Sequence, residues 1–441
     1  MKRDIYRQLQ AWSGSEHRKP LVLRGARQTG KTYILQELGQ RDYRRCHYFN
    51  FEEDPRLSSL FSQNLDPGRI IRDLSIYGRN DIRRGEDLIV LDEIQACNDA
   101  LNALKYFNEK ENDYHIATAG SLLGVRMSKP KSFPVGKVDF LDLGPMTFYE
   151  FLDAVGQDRY RNYLENMGSI SPLPEAFHDE LIGLLRCYYL VGGMPEVVSR
   201  HAAGATGTEC RAVQKAILSS YTLDFAKHAP SSDMPKLSLV WESLPSQLAR
   251  ENKKFLFAVV KEGARAREYE NALTWLDNAD LIHRSTLVSS PKIPLRAYRD
   301  LSSFKIYACD VGLLGALASV PPDAVQSDLS ILTEYQGAFV ENFVAQHLTA
   351  ITDTGLHYWK NPGRAAEVDF LLQHGPSILP LEVKAGVNLR SKSLAFYASK
   401  YQPELTIRTS LRNLKMATRV LNVPLYALQS LPHILSLAGT V

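Results

Sequence analysis

Several things are scarce in this chain. No run in its 441 residues approaches the ~18 consecutive apolar side chains of a membrane-spanning helix. The opening segment, MKRDIYRQLQAW, is charged and amphipathic and lacks the apolar core of a secretory signal. The five cysteines (Cys46, Cys97, Cys187, Cys210 and Cys309) are odd in number and far apart, with no C-x-x-C pair. That spacing excludes a disulfide framework and a zinc ribbon, and it predicts reduced thiols in the cytoplasm. Charge of one sign is also missing: 52 Lys and Arg face 49 Asp and Glu, a net charge of +3, so any nucleic-acid contact must come from local patches. There is no G-x-S-x-G elbow, and the 11 histidines form no H-E-x-x-H, which sets aside serine hydrolases and zinc peptidases. These absences predict a soluble, cytoplasmic protein without a membrane partner.

What is present is ordinary globular composition, 44% hydrophobic and 23% charged, with length for about two to four domains of roughly 100–200 residues. The segment GARQTGKT, Gly25 to Thr32, fits G-x-x-x-x-G-K-[ST] in full. PLVLRG before it reads as a buried strand, and Ile34, Leu35 and Leu38 after it are at helical spacing. Strand, glycine loop and helix are the parts a phosphate cradle needs: backbone N–H groups reach the phosphates and the helix N-terminus adds positive potential. The expected ATP-binding residues are therefore Gly25, Ala26, Arg27, Gln28, Thr29, Gly30, Lys31 and Thr32. Lys31 is expected to reach the β- and γ-phosphates and Thr32 to ligate Mg²⁺. DLIVLDEIQ, residues 87–95, reads as a strand buried on both faces that ends in two acids. Asp92 is expected at the Mg²⁺ ion and Glu93 as the general base for the attacking water. A third strand-like run, YHIATAGS, ends at Ser121, where a γ-phosphate sensor is expected.

With these motifs the chain resembles the AAA-like P-loop ATPases of bacteria and archaea that carry a C-terminal domain of unknown function. LGPMTFYEFL, YYLVGGMPEVV, FKIYACDVGLL, GAFVENFV and EVDFLL with LPLEVKAG extend the resemblance over nearly the whole chain. It implies an α/β fold: a P-loop NTPase parallel sheet, a helical lid, and downstream domains. Relatives often carry Gly-Arg-Val before the LGPMTF segment, where this chain has Gly136-Lys137-Val138. If that arginine is a finger, Lys137 keeps the charge and loses the planar fork; Arg126 and Arg186 are the alternatives.

Farther on, residues 236–322 read as helix, turn, helix, strand, which is winged-helix organisation. Lys253, Lys254, Lys261, Arg265 and Arg267 are its candidate contacts to DNA phosphates. In AEVDFLLQHGPSILPLEVKAG two strand-like runs are joined by a turn. Period-two alternation places Glu382 and Lys384 on one face, with Asp369 near the paired strand. Together with Glu341 on an upstream helix, this is the pattern of a PD-(D/E)XK nuclease core: Asp369 and Glu382 as metal ligands, Glu341 helping, Lys384 positioning the water. Lys360, Arg364 and Lys392 are candidate phosphate contacts nearby. The expected division is 1–150 ATPase core, 151–235 helical lid, 236–322 winged helix and 323–441 nuclease-like domain. The expected function is an ATPase with ATP and Mg²⁺ as cofactors, whose ATP state controls metal-dependent cleavage of DNA. The alternatives are a switch that grips nucleic acid or protein without cutting, and a ring-forming homo-oligomer.

Overall fold

Short strands with apolar side chains on both faces organise the first part of the molecule. The computed structural model describes residues 1–120, 136–250, 253–327, 335–363, 366–386 and 391–439. It divides into two compact units, residues 2–144 with 278–280, and the rest of the chain from Pro145 onward. The first unit is a five-stranded, wholly parallel sheet built from β1 (Leu21–Arg24), β2 (Arg45–Asn50), β3 (Asp87–Asp92), β4 (His115–Ala119) and β5 (Asp139–Asp142). Its order is β2-β3-β4-β1-β5. Alternation explains the continuous apolar runs. Leu21, Leu23, Leu88 and Val90 pack with Ile34, Leu35 and Leu38 of the following helix on one side. Val22, Ile89 and Leu91 pack with Leu101, Leu104 and Phe107 on the other. Both faces of β3 are covered, so its interior positions, Leu88 to Leu91, are all apolar. The order places the C-terminal ends of β1 and β3 either side of β4, at one edge of the sheet, where a parallel α/β sheet opens its crevice.

The second unit begins with helices. The first, Phe148–Ala154, starts with a reciprocal capping box between Thr147 and Glu150. The helix Glu175–Val191 ends at Gly192, whose φ of 71° suits glycine, and Pro195 opens the next helix. After the helices Met234–Leu248, Phe257–Val260 and Ala266–Asn278 come β6 (Ile282–Val288) and β7 (Arg299–Ala308), an antiparallel pair. The remaining strands are β8 (Leu356–Lys360), β9 (Glu367–Val368), β10 (Phe370–His374), β11 (Ser377–Val383), β12 (Thr406–Ser410), β13 (Lys415–Ala417) and β14 (Val420–Pro424). They form two sheets, β7-β6-β8-β9 and β10-β11-β12-β14-β13. Strand β6 lies between β7 and β8, so a single sheet draws strands from both sides of residue 322.

The helix Gln336–Ile351 runs through the middle of this unit. Every side chain from Ala338 to Leu348 is buried, so it is a core helix rather than an amphipathic one. Its polar groups are matched to partners. Asn342 pairs with both backbone groups of Ala308, and Gln346 accepts from the Val311 amide at 3.0 Å. His347 Nε2 accepts from the Phe148 amide at 2.9 Å. A buried polar side chain left without such partners would cost about 1–3 kcal/mol.

Candidate nucleotide site and carboxylate cluster

In the first unit the glycine loop joins β1 to the helix Lys31–Asp42. Gly30, with φ of 92°, immediately precedes that helix, and Gln28 is also left-handed. At Gly25 a side chain would run into the Leu143 carbonyl of the neighbouring strand's end, so only glycine fits. The loop is braced from within and without. Thr29, fully buried, donates to the Ala26 carbonyl at 2.9 Å, and Arg3 donates to the Thr29 carbonyl at 2.8 Å and to Gly144 at 2.7 Å. Arg27 lies 3.8 Å from Glu52. The Lys31 ammonium folds back onto the carbonyls of Gly25 (2.9 Å) and Ala26 (2.7 Å), its pKa lowered to about 8 by desolvation against the pull of Glu93 and Asp92.

Thr32 Oγ1 donates to Asp92 Oδ2 at 2.7 Å, as does the Tyr48 hydroxyl, also at 2.7 Å. A hydroxyl and a carboxylate in contact at the mouth of the loop are a hard-oxygen pair that suits Mg²⁺. Glu93 follows in the left-handed conformation, φ of 50°, which turns its side chain away from the strand direction. Burial pushes its carboxyl up from the usual range, and a hydrogen bond from the Gln95 amide works against that. Ser121 and Arg126 lie outside the described residues. Lys137 makes an ion pair with Glu109 at 3.1 Å, and Arg186 sits on the helix Glu175–Val191 of the second unit.

In the second unit Glu341 and Asp369 gather at Lys305, with Lys253 also on Glu341, two lysines that the sequence reading had not placed there. Glu341 Oε1 accepts from the Tyr307 hydroxyl at 2.5 Å and from Lys305 Nζ at 3.2 Å, while its other oxygen is bonded by Lys253. Lys305 Nζ also lies 2.8 Å from Glu367 and 3.9 Å from Asp369. Asp369 Oδ2 accepts from the Val383 amide at 2.9 Å. Glu382 Oε1 accepts from Lys384 at 2.8 Å and from Ser391 at 2.9 Å, and its Oε2 is buried with no partner. The alternation expected on β11 holds in space: Glu382 and Lys384 meet side chain to side chain. Burial, reinforced by Glu341 and Glu382, pushes Asp369 up to about 8. Burial also opposes the charge on Glu341, yet Lys253 and Lys305 pull its carboxyl down to about 2. Among the described residues no group of three or more His, Cys, Asp or Glu side chains is arranged to hold a metal ion.

Residues 17–152 match the profile of the AAA domain family. The first unit has an AAA-like P-loop fold. Two further profiles match farther along, both described as domains of unknown function: DUF8612 over residues 182–324 and DUF4143 over residues 336–428. No curated protein matches the chain. Among solved structures, a Walker-type ATPase of Pyrococcus abyssi is 13% identical, covering 72% of this chain and 95% of its own, with a TM-score of 0.45. The Thermotoga maritima RuvB Holliday junction branch migration motor is 11% identical over 66% and 90%, TM-score 0.28. Cdc6p from Pyrobaculum aerophilum is 14% identical over 77% and 93%, TM-score 0.27. At such scores these are distant likenesses.

In the first unit, the sequence reading missed the residues that support the loop and its acids: Arg3 on the loop, Tyr48 on Asp92, Asn50 on Tyr48 and Gln95 on Glu93. Asn50 ends β2 opposite Asp92 in parallel register, a placement only the structure supplies, and its amide donates to the Tyr48 hydroxyl at 3.0 Å. Lys253, read as a DNA contact, is a correction: its ammonium is spent on Glu341 and on the Gly337 carbonyl at 3.2 Å. Lys254 bonds Ser303 at 3.0 Å, whereas Lys261, Arg265 and Arg267 are exposed. Lys360 pairs with Glu367 at 3.3 Å, Lys392 is exposed, and Arg364 lies outside the described residues. Among the described residues no helix is long and apolar enough to cross a membrane.

Proposed function

We propose that the ATPase domain binds ATP with Mg²⁺ and hydrolyses it, and that its nucleotide state controls what the second unit does to nucleic acid. The contact of Thr32 with Asp92 at the mouth of the glycine loop carries the first half of this reading. These two residues would hold Mg²⁺, which supplies charge neutralisation at the phosphate oxygens when bound. Lys31 leaves the Gly25 and Ala26 carbonyls for the phosphates, exchanging two neutral acceptors for charged ones. Glu93 accepts the proton of the attacking water at its carboxylate. The Gln95 hydrogen bond favours the ionised form that this role needs. The assay is steady-state ATP hydrolysis. Glu93→Gln is expected to cut turnover by about 10²–10⁴-fold while ATP still binds, and Lys31→Ala to weaken both. Full turnover in Glu93→Gln would remove that residue from the chemistry.

For the second unit, three helices followed by the β6–β7 hairpin support a winged-helix reading of 236–322, with exposed Lys261, Arg265 and Arg267 as backbone contacts. The helices of 151–235 would form the lid, and 323–441 the nuclease-like part. Here the geometry favours grip without cleavage, because Glu341 is committed to two lysines and a tyrosine. One observation favours cleavage: Glu382 keeps a buried oxygen with no partner next to Lys384. Plasmid and single-stranded DNA incubated with Mg²⁺ or Mn²⁺, with and without ATP, decide between them. Intact DNA that is retained in an ATP-dependent way supports the switch; nicking lost in Glu382→Ala supports the nuclease. Light scattering with and without ATP tests ring assembly.

A further inference from the structure

Lys305 sits in the middle of β7 with 1% of its side chain exposed, between the buried Phe304 and Ile306. Its ammonium touches Glu341 and Glu367, approaches Asp369, and lies 5.0 Å from the centre of the Tyr358 ring. We propose that Lys305 is the resident cation of this cluster and that the second unit takes up no divalent metal at Asp369 and Glu382. The inference rests on the nuclease-like reading of 323–441, and it says how that fold differs from a metal-loaded one.

Each acid around Lys305 already has an ammonium neighbour. Glu341 has Lys253 and Lys305, Glu367 has Lys305 and Lys360, Asp369 has Lys305, and Glu382 has Lys384. Four carboxyl groups face four ammonium groups. A divalent ion requires a site with surplus negative charge, and here it would add two positive charges beside a buried one. Nor can Lys305 readily step aside. Its backbone is fixed in register with Ser285 of β6, and it ties the core helix through Glu341 to Glu367 on β9 and to Asp369 between β9 and β10. The unpartnered Glu382 Oε2 is a single protein oxygen, since Glu382 Oε1 is taken by Lys384 and Ser391 and Asp369 faces the Val383 amide and Lys305. Burial acts against the charge on Lys305, and the surrounding acids outweigh it and keep the ammonium protonated well above the usual lysine range.

The test is Mn²⁺ binding by the full-length, nucleotide-free protein, followed by electron paramagnetic resonance. Wild type, Asp369→Asn and Glu382→Gln are expected to bind Mn²⁺ identically, with any weak signal removed by Asp92→Asn in the ATPase domain. Lys305→Met is expected to gain a bound Mn²⁺ that disappears again in Lys305→Met/Asp369→Asn. A wild-type Mn²⁺ lost in Asp369→Asn or Glu382→Gln would overturn the proposal, and that comparison needs no change at Lys305. A folded Lys305→Met that gains nothing would overturn it too. DNA retention with and without ATP is read separately: its failure would refute the switch and leave the Mn²⁺ result standing.

Discussion

His347 offers a pH dependence that can be worked from the structure. Its ring is buried in the core helix, packed against Phe343 at a centroid distance of 4.0 Å. Nε2 accepts from the Phe148 amide, and Nδ1 donates to the Phe343 carbonyl at 2.8 Å, so the neutral tautomer with the proton on Nδ1 satisfies both partners. Protonating Nε2 would set a donor against the Phe148 N–H in a dry site. Burial accordingly lowers the imidazole to about 4. The unfolded chain carries an ordinary imidazole near 6.5 and therefore binds more protons than the folded one between those values. Stability contributed by this residue is complete above about pH 6.5 and is lost as pH falls toward 4. Between about pH 8 and about pH 5 the loss is about 2 kcal/mol. The assay is urea denaturation followed by tryptophan fluorescence at both pH values. Trp241, Trp275 and Trp359 belong to the same unit as His347. His347→Gln keeps an acceptor for Phe148 and cannot titrate. The drop in stability on acidification should shrink by about 2 kcal/mol relative to wild type, other histidines cancelling in the comparison. An equal drop in both proteins would refute the assignment of the neutral, accepting ring.

Three further outcomes are expected. ATP binding near pH 9 should take up a proton as Lys31, lowered to about 8 in the free loop, meets phosphate; calorimetry in buffers of different ionisation enthalpy reads it, and Lys31→Arg should abolish it. Tyr48→Phe removes a donor to Asp92 and should cost about 1 kcal/mol in Mg²⁺-dependent ATP binding, seen as a several-fold higher half-saturating Mg²⁺. Gly193→Ala would press a methyl group onto the Met146 backbone, where the Gly193 amide already donates to buried Asp310 at 2.5 Å. A loss of about 2 kcal/mol or more is expected in urea denaturation of the second unit, and a neutral result would show that this corner yields.

Local patterns carry as far as local forces do. The glycine loop, the acids closing β3 and the pairing of Glu382 with Lys384 were all legible, because each depends on neighbours within a few residues: a turn only glycine can make, a doubly buried strand that turns polar where it ends, and a period of two. The core helix was half legible. Phe339, Val340, Phe343, Val344 and Leu348 marked one apolar face, yet Asn342, Gln346 and His347 are buried as well. Their partners, Ala308, Val311 and Phe148, lie 34 or more positions away in sequence. Lys253 and Lys305 were the least legible. A lysine, whether in a loop like Lys253 or a strand like Lys305, reads as solvent-facing until the fold supplies carboxylates to hold it, and burying an ammonium is tolerable only then. The sequence by itself determined the P-loop fold of the first unit and where Lys31, Thr32, Asp92 and Glu93 stand on it. Only the tertiary structure decided that Glu341 and Asp369 gather around an internal ammonium, because that charge balance is made between strands and a helix that meet in space alone.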